Sequence, residues 1–351
     1  MIKQLQITFK RLCVNKAFFI FPILIFSSCF LSACSQKSVK TISGKTMGTT
    51  YSVKIAEKKS ASVKELKAEI DKILVEVNRQ MSTYLKDSEI SKLNSAPMNT
   101  NVEISPWFKE VLIYSLKLAE QTDGAYDPTL GPLVNLWGFG PKGSRRVPND
   151  LQVEKAKSNV GYDKLVISRA NEKDVAIKKR DGVYVDLSSS AKGFGVDKVS
   201  EFLKTKGYKN HLVEIGGELK ASGKKFDKDW IVGVEKPTEG KKAVQFAFPL
   251  KNMSIATSGD YRNFFKEGGK SYSHTINIET GRPVEHKLFS VTVLEESCMK
   301  ADALATALMA LGPDKAQNYA YENDLAVFLI FENPEGKLTE HSSPKFSSLA
   351  K

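Results

Sequence analysis

One apolar segment carries the polar residues most suited to chemistry. Met299 to Leu311 reads Met-Lys-Ala-Asp-Ala-Leu-Ala-Thr-Ala-Leu-Met-Ala-Leu, with Lys300, Asp302 and Thr306 as its polar side chains. A helix apolar on nearly every face belongs in an interior. A spacing of four sets Asp302 and Thr306 one turn apart on the same face. A buried carboxylate needs a compensating charge or a proton. Carboxylate and hydroxyl are hard oxygen donors, so the pair suits Mg²⁺ completed by carbonyls, water or phosphates. It equally suits a structural role, with Asp302 held by a Lys or Arg and Thr306 bonding back along its helix.

A second grouping runs Val183-Tyr-Val-Asp-Leu-Ser-Ser-Ser-Ala-Lys-Gly-Phe-Gly-Val-Asp197. Here a strand should end at Asp186 and Leu187, and a turn bearing Ser and Gly should open a helix. Such a turn offers backbone N–H groups and the positive end of a helix dipole to phosphate. Lys192 adds a full charge, and Gly193 and Gly195 permit close approach. An ordinary strand-to-helix connection has the same look. The third Gly of a dinucleotide fingerprint is missing, and Gly269-Lys270-Ser271 fails as a P-loop because Phe264 stands where its first Gly belongs. Ser189-Ser190-Ala191-Lys192 also spells S-x-x-K, the nucleophile motif of penicillin-recognising acyl enzymes, but no S-D-N or K-T-G partner exists in the chain. Zinc is disfavoured: His211, His274, His286 and His341 are dispersed, without H-E-x-x-H or C-x-x-C.

The elements that must position these groups follow from pattern. The chain has 351 residues, 41% hydrophobic and 26% charged, which is globular composition. Its net charge of +12 invites a nucleic-acid reading. The Lys runs at 178–180, 224–225 and 241–242 are short and interleaved with acids, which is the pattern of solvated faces, so no nucleic-acid partner is expected. Lys3, Lys10, Arg11 and Lys16 precede an uncharged stretch, Ala17 to Ala33, that ends in Leu31-Ser32-Ala33-Cys34. That order is an export signal, and its end resembles the bacterial lipobox, whose Cys carries diacylglycerol. The expected organisation is a signal peptide over 1–33, a lipidated tether over 34–44 from Cys34, a catalytic unit over 45–335 and a polar, fraying tail over 336–351. Processing would lower the charge from +12 to +8 and leave Cys298, a small packing residue, as the remaining thiol. Ser35 after the lipidated Cys favours the outer membrane, facing the periplasm.

Apolar residues at three- and four-residue steps from Val63 to Met81 predict a helix. Ser105-Pro106 and Gly124 bracket a second, and further helices are expected at Val196–Lys206 and Met299–Leu311, ending at Gly207 and Gly312-Pro313. Strand-like runs are Val183–Leu187, His211–Ile215, Trp230–Glu235, Val244–Phe248, Ser254–Thr257, Tyr272–Ile278, Phe289–Leu294 and Leu325–Phe331. With no repeat and no Pro-, Gly- and Ser-rich linker, this is one α+β unit.

These segments together resemble the ApbE family of FAD:protein FMN transferases. The motifs run in family order: Met47-Gly48-Thr49-Thr50-Tyr51, Met81-Ser82-Thr83-Tyr84, Gly124-Ala125-Tyr126-Asp127-Pro128-Thr129 and Leu136-Trp137-Gly138-Phe139-Gly140. Asp186-Leu187-Ser188 with Ala191-Lys192-Gly193, Val213-Glu214-Ile215-Gly216-Gly217-Glu218 and Ala256-Thr257-Ser258-Gly259-Asp260-Tyr261 follow. Tyr272-Ser273-His274, Thr280-Gly281-Arg282-Pro283 and Ala301-Asp302-Ala303-Leu304-Ala305-Thr306 complete the set. The resemblance implies a single T-fold-like α+β unit with mixed or antiparallel sheets and packed helices. It implies a periplasmic enzyme that binds FAD with Mg²⁺, moves FMN to a Thr or Ser hydroxyl of a partner protein and releases AMP. The acceptors it implies are subunits of membrane redox pumps such as the Na⁺-translocating NADH:quinone oxidoreductase. Carried over by motif, Asp302, Thr306 and a backbone oxygen near Ser189 would hold the metal. Met47, Tyr84, Ala125, Tyr126, Asp127, Asp186, Lys192 and Thr275 would contact the flavin nucleotide. His274 would take the proton of the incoming hydroxyl, with Asp186 and Asp260 as competitors.

Two departures stand out. Asn277-Ile278-Glu279 precede Thr280-Gly281 where the family commonly has Asp-Pro, which puts the turn geometry in question, and Tyr126 replaces the more usual Phe, adding a hydroxyl free to meet flavin or water. Trp137 and Phe139 read as core or pocket wall rather than base stackers. The alternatives are a lipoprotein that binds FAD or hydrolyses its pyrophosphate without transfer and, more remotely, the S-x-x-K acyl enzyme.

Overall fold

Eight antiparallel strands form the central sheet in the order in which the chain makes them: β1 (Lys40–Thr46), β2 (Thr49–Ile55), β3 (His211–Ile215), β4 (Glu218–Ser222), β5 (Ser254–Gly259), β6 (Leu288–Glu295), β7 (Ala326–Glu332) and β8 (Leu338–Ser342). The structure is a computed structural model that describes residues 38–57, 62–141, 143–237, 243–259 and 264–351. The export signal, Cys34, Ser35, Asp260 and the 241–242 Lys run lie outside the described residues. Among the described residues no helix is long and apolar enough to cross a membrane.

Because successive side chains of a strand point to opposite faces, each strand serves two cores. Val213 and Ile215 of β3 join α1 (Val63–Met81) and α3 (Ala191–Thr205), whereas Leu212 faces the other way. Val291 and Val293 of β6 and Val327 and Leu329 of β7 pack on α4 (Cys298–Leu311), and Leu294, Phe328 and Ile330 point to the opposite core. That second core is closed by the hairpin Trp230–Glu235/Val244–Leu250 and by the C-terminal helix Pro344–Leu349. Everything between β2 and β3 is one long excursion. It holds α1, α2 (Pro106–Gln121), α3, several short helices and a small sheet of Val102–Glu103, Leu165–Ala170 and Lys173–Lys178.

Two contacts fix α3 against α4. A Cβ on Gly193 would stand 2.2 Å from the carbonyl oxygen of Cys298, so only glycine allows the two backbones to meet there. One turn on, buried Asp197 accepts hydrogen bonds from Met299 N (3.0 Å) and Ser297 Oγ (2.8 Å), capping α4 from outside, while Lys220 of β4 binds it at 2.6 Å. α3 begins at Ala191, five residues before its predicted start, so both glycines lie inside it. Each costs about 1 kcal/mol of helix propensity, offset by this close packing.

Other expectations need correction. Val183–Leu187 is extended and buried but forms no ladder, only one bridge from Tyr184 to Leu130. The Asn94 side chain does the ladder's work, accepting from Val185 N at 2.6 Å and donating to Val185 O at 2.8 Å. Tyr272–Ile278 splits at His274-Thr275 into two short strands of separate hairpins. The tether expected to reach residue 44 is already β1 from Lys40. The tail does not fray: Leu338–Ser342 pairs with β7, and Phe346, 2% exposed, stacks on Phe328 at 5.6 Å and meets Phe248 edge-on at 5.8 Å. Polar composition hid it because one aromatic and a Ser343 cap suffice to dock so short a helix.

Fully buried His211 donates from Nδ1 to Tyr208 O and accepts from Ser200 Oγ on Nε2, both at 2.8 Å, a neutral tautomer. Burial lowers its pKa from 6.5 to about 4. The unfolded chain therefore takes this proton near pH 6.5 and the folded chain only near 4. The contribution is complete above pH 6.5 and is lost as pH falls toward 4, amounting to about 3 kcal/mol. Denaturant melts of His211→Gln should show a shallower loss of stability over this window than the parent chain. Gly193→Ala should cost about 1–3 kcal/mol by overpacking. Gly195→Ala should cost less, because its Cβ would meet side-chain ends and no backbone: Ile215 and Met47 at 3.1 Å and Leu74 at 3.5 Å. Equal melting points for the two alanine variants would contradict the backbone contact.

Candidate active site

The crossing of α3 and α4 brings the predicted metal pair and the predicted phosphate turn into one site. Asp302, 5% exposed, receives Gly193 N–H on Oδ2 at 3.0 Å, and Lys192 Nζ lies 3.3 and 3.4 Å from its two oxygens. Thr306, one turn along α4, donates its hydroxyl proton to Asp302 O at 3.2 Å, leaving its oxygen lone pairs for another partner. These are the hydrogen bonds of the structural alternative, a Lys on Asp302 and a back-bonded Thr306. They do not exhaust the donor oxygens.

Glu218, the first residue of β4, completes the cluster. It is 4% exposed, its Oε1 lies 3.6 Å from Lys192 Nζ, and its Oε2 is buried with no hydrogen-bond partner. Burial drives the Asp302 and Glu218 carboxyls above their ordinary range, against the pull of Lys192. Burial also works against the Lys192 ammonium, yet the two carboxylates outweigh it and hold the lysine charged. Sequence reasoning quoted Glu218 within a motif without giving it a role. The available signal was a Glu directly after Gly216-Gly217, both at positive φ, which turn the chain from β3 into β4.

The helix amides expected to cradle phosphate are mostly spent inside the turn. Ser190 N and Ala191 N bind Leu187 O, Phe194 N binds Ser190 O, Gly193 N binds Asp302 and Ser188 N binds Asp186 Oδ1. The positive character of this corner therefore rests on Lys192. Ser189 is reached from the other side by buried Tyr126, whose hydroxyl lies 2.9 Å from Ser189 Oγ and donates to Ser115 Oγ at 3.3 Å. The extra hydroxyl of Tyr126 thus braces the turn. The Asp302 carboxylate, the Thr306 hydroxyl and the main-chain oxygens of the Ser189 turn are oxygen donors only, a chemistry that suits a hard divalent cation.

The remaining candidates sit on other segments of the chain. Asp186 N donates to Pro128 O at 2.8 Å, which ties the Ala125–Asp127 segment to the strand end. The Asp127 carboxylate is itself committed, to Thr129 N and Oγ1 at 2.7 Å and to Tyr162 N at 2.8 Å, so a flavin would meet the backbone of this loop. Met47 occupies the first position of the two-residue β1–β2 turn with φ +49, followed by Gly48 at +72. A left-handed non-glycine residue costs roughly 1–2 kcal/mol, and here it aims Met47 at the packing between α1 and α3. Tyr84 is 70% exposed. Thr275 is buried on the β5–β6 connection, and neighbouring His274 meets Phe139 edge-on at 6.3 Å. Trp137 is core, fully buried with Nε1 donating to Gly281 O at 2.9 Å. Asn277 replaces the usual Asp without loss of the turn: its Oδ1 accepts from Thr280 N at 2.9 Å, and its carbonyl accepts from Gly281 N at 2.8 Å.

Known proteins resemble this chain over most of its length. A Haemophilus influenzae protein described as FAD:protein FMN transferase is 47% identical over 320 residues, covering 89% of this chain and 92% of its own. The flavin transferase ApbE structure from Vibrio cholerae superposes with a TM-score of 0.81 at 39% identity, covering 89% of this chain and 99% of that one. The apo flavinyl transferase from Pseudomonas stutzeri does so with a TM-score of 0.80 at 36% identity, over 89% and 97%. The ApbE family model matches residues 47–329, from the strained turn at Met47 through the Asp302 helix to β7, and the chain belongs to the ApbE family.

Proposed function

We propose that this protein takes FAD, transfers its FMN moiety to a Thr or Ser hydroxyl of an acceptor protein and releases AMP. The observation that carries this reading is the buried oxygen cluster at the α3–α4 crossing, beside a lysine held charged. In this transfer the acceptor oxygen bonds to the FMN phosphorus, the bridging P–O bond breaks, and AMP leaves with the bridging oxygen. Phosphoryl-type transfer is mainly positioning and charge neutralisation. Asp302, Thr306 and a main-chain oxygen near Ser189 would hold Mg²⁺, which supplies charge neutralisation at the pyrophosphate. Lys192 adds a cation on the same side. The Ala125–Asp127 backbone, Met47, Tyr84, Asp186 and Thr275 would position the nucleotide, and His274 would accept the hydroxyl proton. Asp186 and Asp260 are the competing bases.

The acceptor class is a redox subunit of the cell envelope, such as those of the Na⁺-translocating NADH:quinone oxidoreductase. A diacylglyceryl anchor on Cys34 would hold the enzyme at the periplasmic face of a membrane, the outer one by the preference of Ser35. What supports the anchor is the order of basic, apolar and small residues before Cys34.

Incubation of the full-length chain with FAD, Mg²⁺ and a candidate acceptor should give covalent, in-gel fluorescent FMN on the acceptor and stoichiometric AMP. Release of AMP and free FMN with the acceptor unlabelled would instead identify an FAD pyrophosphatase for that partner. Asp302→Ala should lower transfer about a hundredfold or more at fixed Mg²⁺, as expected for a lost ligand. Undiminished Mg²⁺-dependent labelling by that variant would reject the site.

A further inference from the structure

Lys192 is shared between two buried carboxylates and the Ser188 carbonyl, with a long contact to each. Its Nζ lies 3.3 and 3.4 Å from the Asp302 oxygens and 3.6 Å from Glu218 Oε1. Charge-assisted N–H···O bonds are commonly about 2.7–2.9 Å. The neighbouring pair between the same elements, Lys220 with Asp197, is closed at 2.6 Å. The cluster is therefore loose at Lys192 while its neighbour is tight. The other Glu218 oxygen, Oε2, is buried without a hydrogen-bond partner. A polar oxygen left unpaired in an interior is costly, so its retention beside the Lys192 ammonium calls for a use.

We propose that Glu218 is the receiving site for the Lys192 ammonium when a divalent cation occupies Asp302. The inference rests on the metal reading of Asp302 given above. A divalent ion and an ammonium cannot share one carboxylate without strong repulsion at low dielectric. As the ion takes the Asp302 oxygens, Lys192 shifts onto Glu218, which pairs with it through the oxygen that is otherwise orphaned. The lysine stays charged and stays in the corner, paired with Glu218. Glu218 is thus a positioning residue that acts through Lys192. It is neither a metal ligand nor a group that touches the nucleotide.

The test is direct binding of Mn²⁺, followed by loss of the free-ion EPR signal, to the full-length chain in detergent without FAD. It compares the parent with Glu218→Gln, Lys192→Met, the double variant and Asp302→Asn, each checked by circular dichroism. Glu218→Gln should weaken Mn²⁺ roughly tenfold or more, the usual scale for a residue that orients a metal site from behind. In the Lys192→Met background the same substitution should change affinity less than about twofold, since no ammonium needs a home. An equal effect in both backgrounds would show that Glu218 acts on the ion itself and would overturn the proposal, as would no effect in either. Glu218→Asp, which keeps the charge, serves if the glutamine variant does not fold, and the same dependence on Lys192 is required of it. Failure of the underlying metal reading is distinct: Asp302→Asn would then bind Mn²⁺ as the parent does.

Discussion

The approach of two helix backbones at Gly193 and Cys298 is the constraint on which this site depends. With a Cβ at Gly193 only 2.2 Å from a carbonyl oxygen, no other residue lets α3 lie so close to α4. That proximity lets a main-chain N–H reach a carboxylate on the facing helix, and it carries Lys192, the residue before, over the same carboxylate. Asp197 then clamps the start of α4 one turn further on. Three polar contacts thus follow from one missing methyl group. The apolar surround of α4, including Leu308 and Met309 at 0% exposure, holds the arrangement against the sheet, each such side chain contributing about 1.5–3 kcal/mol.

The division of labour in the fold is clear from what the sheet carries. β1 to β8 pair in chain order and supply mostly packing, whereas nearly every candidate residue sits on a connection. Glu218 is the exception, at the first position of β4 directly after a glycine pair. A charged side chain on the inner face of a sheet has no structural benefit unless it meets a counter-charge there, and Lys192 is that counter-charge. At the strained Met47 turn, too, conformational energy is accepted where a side chain must reach a set place, here the packing between α1 and α3.

Much of this was legible in residue order. The apolar helix from Cys298 to Leu311 announced its burial by composition, and Asp302 and Thr306 shared a face by spacing alone. Glycine marked the ends of α3 and α4 because those positions need φ near +80, as at Gly207 and Gly312. What sequence reasoning missed was decided by partners distant in the chain. Val183–Leu187 has the alternation of a strand, but Asn94, 91 residues away, supplies the hydrogen bonds that a neighbouring strand would give. The amides after Asp186 looked available for phosphate, yet local turns and Asp302 consume them. The hydroxyl of Tyr126 looked free, and Ser189 claims it. In each case residue type was readable and the competing acceptor was not.

The seam between β2 and β3 also shapes how such a chain assembles. Glu57 receives Asn210 N at 2.9 Å and Asn210 Nδ2 at 2.8 Å across 153 residues of sequence, and Ala56 N binds Asn210 O beside it. Closing a loop of that length costs about 4 kcal/mol of chain entropy before any contact rewards it. The strand pairs from β3 to β8 close over much shorter stretches, so the β2–β3 seam is the least local pairing of the central sheet, the kind that slows folding.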